Sequence, residues 1–202
     1  MLELTIGGDI QKLADGIKGD AKRHAPFGVA YALTLTAKDA RGTLVKTLPD
    51  YFTVRSSWVA NSMRHTPARK GPNPEASVGT QFAPMDLQTI GGKKAGKDGG
   101  DVAVPYRARR TTEAKTRPAS WPGRLLAIKA AYFHVPSEHG GELVYQRIGK
   151  GGRHLRLWWV LAPVVRVKPR WPFAELVGET IKKRVQENFE RAMDYALKTA
   201  KP

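Results

Sequence analysis

The chain has 202 residues, of which 41% are hydrophobic and 26% charged, a composition typical of a globular protein with its own core. Its 34 lysines and arginines outnumber its 18 acidic residues, so the net charge is +16. It contains no cysteine, which excludes disulfides, thiolate metal sites and cysteine nucleophiles. A strongly basic chain attracts phosphates and acidic protein surfaces, and its charge alone does not choose between them.

The first fifty residues predict a short strand followed by two helices. Leu2–Ile6 alternates between apolar and polar residues, as a strand does. Asp9 is a suitable N-cap for a helix of about four turns, because apolar residues then recur at three- and four-residue spacing. Pro26 suits the first turn of a second helix, which we expect to end at Pro49. No basic region precedes an apolar stretch at the start, so we expect no secretory signal.

The middle of the chain predicts shorter elements. Residues 52–59 have the pattern of an extended segment, and residues 61–75 hold three prolines and four basic residues, His65 included, which indicates an irregular loop. Residues 76–82 predict a strand, and residues 85–90 a turn or short helix. The segment 91–123 is rich in glycine and arginine and has the composition of a long mobile loop or arm. This segment is either a solvated insertion or a region that becomes ordered against a partner.

A β-hairpin is predicted by two runs of aromatic and branched residues on either side of Gly149–Gly152. Strict alternation in its second arm places four apolar residues on one face and a mixed set on the other. The first set is Leu155, Leu157, Trp159 and Leu161, and the second is His154, Arg156, Trp158 and Val160. A long amphipathic helix after Trp171 and Pro172 follows, and we expect it to cover the base of the hairpin.

These elements predict an α+β protein with one domain spanning residues 1–202 and a mobile arm at about 91–123. Its antiparallel β-sheet, with the protruding hairpin, would pack against two N-terminal helices and one long C-terminal helix. The longest nearly apolar run is far shorter than the ~20 residues that span a membrane, so we expect no membrane partner.

No catalytic motif emerges from the spacing of reactive residues. The glycines and lysine at 149–152 lack the spacing of a phosphate-binding loop, and they join two strands instead of opening a helix. The five histidines have no carboxylate or cysteine at ligand spacing. We therefore expect a protein that is not an enzyme and has no cofactor or metal. Trp158 and Trp159 beside Arg156 could stack on bases, although alternation favours a core position for Trp159 and a packed position for Trp158.

Several short motifs follow one another in an order that resembles a known family. They are FGVAYALTLTAKDAR at 27–41, YFTVR at 51–55, SVGT at 77–80, IGGK at 90–93, LVYQR at 143–147 and FERAMDYALKTA at 189–200. This order resembles the minor tail proteins of the Z type from tailed bacteriophages. It is similar more broadly to the tail-completion proteins of long-tailed phage necks.

The resemblance implies a structural virion protein at the head-proximal end of the tail, where it supports head–tail joining. It implies a homo-oligomeric ring, with six copies as the expected number, that touches neighbouring neck and tail proteins around the DNA channel. Assembly would take place in the host cytoplasm. We expect partner or DNA contacts from basic residues of the arm and the hairpin tip, namely Lys93, Lys94, Lys97, Arg107, Arg109, Arg110, Arg117, Lys150 and Arg153. The alternatives are a basic nucleic-acid-binding module and a tail-terminator ring protein.

Overall fold

The computed structural model describes residues 2–6, 21–54, 57–106, 121–128 and 131–199. The chain divides into two compact units, one formed by Met1–Thr89 with Arg170–Pro202 and the other by Ile90–Pro169. Helices and antiparallel sheets are both present, so the predicted α+β class is confirmed. That the whole chain is one domain stays a prediction.

The first unit combines four helices with a small sheet. Its helices are α1 (Ala21–Tyr51), α2 (Trp58–Asn61), α3 (Pro84–Ile90, which ends at the unit boundary) and α5 (Phe173–Lys198). Its strands are β1 (Leu2–Ile6), β2 (Met63–Thr66) and β3 (Ala76–Thr80), which form an antiparallel sheet in the order β1-β3-β2. The long C-terminal helix was predicted and is confirmed.

The core of the first unit lies between the two long helices and the sheet. On α1 the fully buried positions include Ala37, Ala40 and Leu44, and small side chains there let another element approach closely. Val177 of α5 and Val78 of β3 are fully buried in the same core. The apolar stripe that the sequence places on α1 is therefore the buried face of this helix.

A polar contact is also buried between α1 and α5. Asn188 of α5 is 2% exposed, and its side-chain amide donates hydrogen bonds to Thr36 Oγ1 at 3.2 Å and to Asp39 Oδ2 at 2.9 Å. The same Asp39 oxygen accepts a hydrogen bond from Arg184 Nε at 3.3 Å. These bonds satisfy a polar side chain inside an otherwise apolar interface, so they fix the register of one helix on the other.

The prolines of α1 lie inside the helix instead of at its ends. The helix begins at Ala21, so Pro26 is in its second turn, and it continues to Tyr51, two residues beyond Pro49. Each proline removes one intrahelical hydrogen bond, because its nitrogen has no hydrogen to donate to the carbonyl four residues earlier, and the helix continues on both sides of it. The helix therefore begins more than one turn before the predicted start at Pro26 and ends two residues beyond the predicted end at Pro49. The helix predicted from Asp9 lies outside the described residues, apart from its last position.

Two further boundaries differ from the prediction. Trp58–Asn61 forms α2, where the sequence pattern indicated an extended segment, and Met63–Thr66 forms β2, where prolines indicated a loop. The reason for β2 is tertiary, because Met63 is fully buried and pairs with Thr80 of the central strand. On β2, burial lowers the pKa of His65 below its ordinary value, and the positive charges of Arg41 and Lys38 lower this pKa further.

The second unit contains two sheets and a short helix. Strands β5 (Val102–Pro105), β6 (Tyr132–Pro136), β7 (Glu142–Ile148) and β8 (His154–Ala162) form an antiparallel sheet in the order β5-β8-β7-β6. Strands β4 (Gly92–Ala95) and β9 (Val164–Val167) form a separate two-stranded sheet, and α4 (Pro122–Leu126) is the helix. The predicted single sheet is thus three sheets in the described part of the chain.

The core of the second unit lies on one face of its four-stranded sheet. Val144 is fully buried and Trp159 is 5% exposed, and both pack with Leu125 of α4. Within the segment predicted as an arm, residues 92–95 and 102–105 form β4 and β5, which pair with β9 and β8. These two short runs are strands, because distant strands supply the partners that the local composition of the segment does not reveal. The mobility of the arm stays a prediction, and residues 107–120 lie outside the described part.

Candidate functional site

The predicted hairpin is present as β7 and β8. Its tip is a tight turn in which Gly149, Gly151 and Gly152 have φ angles of 81°, 72° and 67°. Only glycine adopts such angles at little cost, which explains the cluster of glycines at this point of the sequence. Lys150 lies within the turn and Arg153 directly follows it, and both side chains are exposed. The turn therefore presents two cations at the end of the sheet.

A β-bulge interrupts the second arm of this hairpin. Val144 pairs with Trp159, but the next residue, Tyr145, pairs with Leu157, so Trp158 has no residue opposite it on β7. One extra residue in a strand reverses the side-chain alternation beyond it. The prediction that Leu155 and Leu157 share a face with Trp159 was therefore wrong, because strict alternation does not hold across the bulge.

The bulge creates an apolar face on the side of the sheet opposite the core. Cross-strand partners lie on the same face, so by the register this face includes Phe133, Val135, Leu143, Tyr145, Arg147, Leu155 and Leu157. We call these seven residues the aromatic face. None of them belongs to a buried hydrophobic cluster of the described residues, and Leu155 is 56% exposed.

Aromatic stacking orders the centre of the aromatic face. The rings of Phe133 and Tyr145 lie 5.9 Å apart between centroids with an interplanar angle of 24°. The guanidinium of Arg147 lies over the Phe133 ring, 4.2 Å from its centroid. A guanidinium at this distance is attracted electrostatically to the face of the ring, which favours this arrangement of the two side chains. This face was not identified from the sequence, although the alternation of β6 and β7 carries the signal for it.

The adjacent tryptophans have separate roles. Trp159 is in the core, as alternation predicted, whereas Trp158 donates a hydrogen bond from Nε1 to Gln146 Oε1 at 2.7 Å. The Trp158 ring also meets Tyr132 edge to face, with centroids 5.9 Å apart. Trp158 is therefore packed against the side of the sheet that carries the core, and the pair does not form a joint stacking platform for bases.

The predicted basic residues lie in different parts of the second unit. Lys93 and Lys94 are exposed on β4, and Lys93 pairs directly with Arg166 of β9. Lys97 begins a short 3-10 turn and is exposed, while Lys150 and Arg153 are at the hairpin tip. Four predicted residues, Arg107, Arg109, Arg110 and Arg117, lie outside the described residues. Arg166 was not predicted, since only strand pairing places it opposite Lys93.

Positive charge is concentrated in the second unit. By sequence, Ile90–Pro169 holds 16 of the 34 lysines and arginines but only 5 of the 18 acidic residues, so it carries +11 of the net charge of +16. Such a local excess raises the potential around this unit and attracts polyanions. The first unit carries the remaining +5 on about three fifths of the chain.

Some titratable side chains outside the basic surfaces form pairs with a neighbouring side chain, and the described ones do not gather into a larger cluster. His134 Nδ1 lies 2.7 Å from Glu142 Oε2 on exposed parts of β6 and β7. In the first unit, Ser77 Oγ donates to Glu3 Oε1 in a shallow groove on the outer face of the three-stranded sheet. Among the described residues, no group of three or more histidines, aspartates or glutamates could hold a metal ion.

Within the described ranges, no helix has both the length and the apolar character needed to cross a membrane. Comparison of the chain with protein-family models, with curated proteins and with solved structures found no match. The geometry of the second unit, with its aromatic face and its basic surfaces, is therefore the basis for a functional proposal.

Proposed function

We propose that this chain is a structural virion protein of a tailed bacteriophage, a tail-completion or neck subunit that supports head–tail joining at the head-proximal end of the tail. In this proposal the protein is not an enzyme and acts as a ring, with six copies as the expected number. It would bind neighbouring neck and tail proteins around the DNA channel. The order of motifs along the sequence suggests the family, and the aromatic face is the structural observation that supports a role in assembly.

The aromatic face has the character of a surface that another protein buries. It joins aliphatic side chains to a stacked aromatic pair and a single arginine, and aromatic residues and arginine are the types enriched at protein interfaces. The register assigns no acidic residue to this face. A contiguous apolar surface with exposed leucine is costly in water, and burial against a neighbouring subunit would remove that cost.

The hairpin tip supports the same role. Lys150 and Arg153 lie at the end of two paired strands, which is a suitable position for reaching an adjacent subunit in a ring. Contacts made there would be electrostatic and exposed, so they would help to select the partner more than they would add affinity.

Cryo-electron microscopy of purified particles tests the proposal most directly. We expect density for this chain as a ring at the head–tail junction, with the aromatic face against a neighbouring protein. Particles that assemble normally and contain no copy of the chain at the junction would refute the proposal.

A matched pair of substitutions tests the role of the aromatic face. Leu155→Gln should reduce ring formation and head–tail joining, because it places an amide in the proposed interface. Leu197→Gln on α5 is the control, since Leu197 is 47% exposed and lies on the other unit. Complementation of a phage that lacks the gene, scored by infectious titre, measures the difference. Equal titres for the two variants would exclude the aromatic face as the interface.

The concentration of charge in the second unit favours a second candidate, a free nucleic-acid-binding module. Such a module should bind DNA or RNA tightly as an isolated monomer, with affinity that falls steeply as salt rises. A neck subunit should bind nucleic acid weakly on its own and reach its partners in the particle. Measuring the mass of the purified protein in solution together with its affinity for nucleic acid separates these candidates. A tail-terminator ring would differ from the favoured candidate only in its position in the imaged particle.

A further inference from the structure

The two-stranded sheet β4–β9 contains an arrangement that works against its own stability. Lys93 and Arg166 are direct cross-strand partners, so their Cβ atoms lie about 5 Å apart on one face. Like charges placed directly opposite each other destabilise a strand pair. A sheet of only two strands has little other pairing to offset this repulsion.

The two cations have no internal counter-charge among the described residues. Neither Lys93 nor Arg166 forms a salt bridge or a side-chain hydrogen bond there, and both side chains are exposed. Lys168 follows Arg166 by two positions, is also exposed, and adds a third cation at this edge. Repulsive pairs of this kind, which destabilise the folded state, are expected at sites that bind a partner.

The same face leaves room for a partner to approach. Ala95 and Val164 are cross-strand partners on the face that carries Lys93 and Arg166, and both are small and exposed. A row of phosphate groups could therefore approach the two long cationic side chains without a steric clash with their neighbours on this face. We call Lys93, Ala95, Val164 and Arg166 the ribbon face.

We propose that the ribbon face binds the sugar–phosphate backbone of double-stranded DNA, with Lys93 and Arg166 contacting phosphates and Lys168 adding a further charge. Phosphates placed between the two cations convert their repulsion into attraction to a shared anion. DNA is favoured as the occupant because the surrounding unit carries +11 of the net charge, which matches a partner with a long row of evenly spaced negative charges. The contact is independent of sequence, since it reaches no base edge. A DNA contact at the ribbon face does not require the neck function.

Fluorescence anisotropy with the purified full chain and a labelled duplex of arbitrary sequence, about 30 base pairs long, tests the charge contribution as salt rises from about 50 to 200 mM. We expect the double variant Lys93→Gln/Arg166→Gln to reduce the slope of log affinity against log salt by about 2, because two phosphate contacts are lost. The control variant Lys46→Gln/Lys182→Gln removes the same charge from exposed positions on α1 and α5, and its slope should stay close to that of the parent. Equal slopes for the ribbon and control variants, or no measurable binding by the parent chain, would overturn the proposal.

Cross-linking gives a readout of position that does not depend on net charge. Since the chain has no cysteine, Lys93→Cys and Lys182→Cys each introduce a single thiol, which can carry a photoactivated cross-linker. The ribbon position should cross-link to the duplex, and the α5 position should not. Cross-linking of Lys93→Cys only to an acidic protein in assembled particles, with none to DNA, would identify protein as the partner and refute the DNA contact. Thermal melting should show both ribbon variants folded, because exposed side chains are changed.

If the ribbon variants lose DNA binding while particles still join heads to tails, the DNA contact stands and is separate from joining. If joining fails in the aromatic-face variant while DNA binding persists, the assembly role stands alone. The two proposals can therefore fail independently.

Discussion

Replacing Asn188 by alanine should destabilise the first unit through the loss of two buried hydrogen bonds. The bond to Thr36 Oγ1 contributes about 1 kcal/mol and the bond to the Asp39 carboxylate about 1.5–3 kcal/mol. The Asp39 side chain is 35% exposed and retains Arg184, so water and that guanidinium would compensate for part of the loss. Alanine also favours the helix slightly. The expected decrease in the free energy of unfolding is therefore about 2–3 kcal/mol.

Urea denaturation followed by far-ultraviolet circular dichroism measures this decrease, because α1 and α5 dominate the helical signal. Gln186→Ala provides a matched control on the same helix, since Gln186 donates to Glu190 at 3.2 Å on an exposed surface. This control should change stability by less than about 0.5 kcal/mol. If Asn188→Ala is as stable as Gln186→Ala, the buried amide does not stabilise the packing of α5 on α1.

Two further predictions concern the first unit. Gly79→Ala should destabilise β1–β3 pairing by about 1–3 kcal/mol, because the added Cβ would lie 2.3 Å from Leu2 O. In the control Gly42→Ala the added Cβ meets nothing within 4 Å, so this variant should stabilise α1 by about 0.5–1 kcal/mol. Chemical denaturation measures both variants, and equal stabilities would contradict the steric explanation. The lowered pKa of His65 means that the unfolded chain binds a proton more readily than the folded chain, so stability should decrease as the pH falls below about 6.5. His65→Gln should weaken this dependence in urea titrations at several pH values, and an unchanged pH profile would exclude His65 as its source.

Much of the secondary structure could be predicted from local patterns. The apolar spacing of α5 and the glycine turn between β7 and β8 are strong short-range signals, and both elements are present. The α+β class follows from them. The boundaries of α1 were less predictable, since the helix extends past Pro26 and Pro49 where tertiary packing of its apolar face offsets the one hydrogen bond that each proline removes.

Parts of both surfaces depended on information that local patterns do not contain. A bulge at Trp158 moves Leu155 and Leu157 to the face opposite Trp159, and the residue types of this strand do not predict the bulge. The pairing of Lys93 with Arg166 joins positions 73 residues apart in sequence. Lys150 and Arg153 could be predicted at the hairpin tip because a turn is local, whereas the ribbon face required the tertiary pairing of strands.

The two polypeptide connections to the second unit leave the first unit side by side. Arg170 and Trp171 both donate backbone hydrogen bonds to Gln88 O, and Arg170 Nε donates to Gln88 Oε1 at 2.7 Å. The second unit is thus an insertion between neighbouring points of the first. The conformational entropy lost on closing a loop grows slowly with loop length, so an insertion of this size costs only slightly more free energy than a shorter one. Over evolutionary time, recombination can lengthen, shorten or replace the insertion while the host fold keeps its own core. A change in the length or sequence of the insertion would therefore leave the buried clusters around α1 and α5 in place.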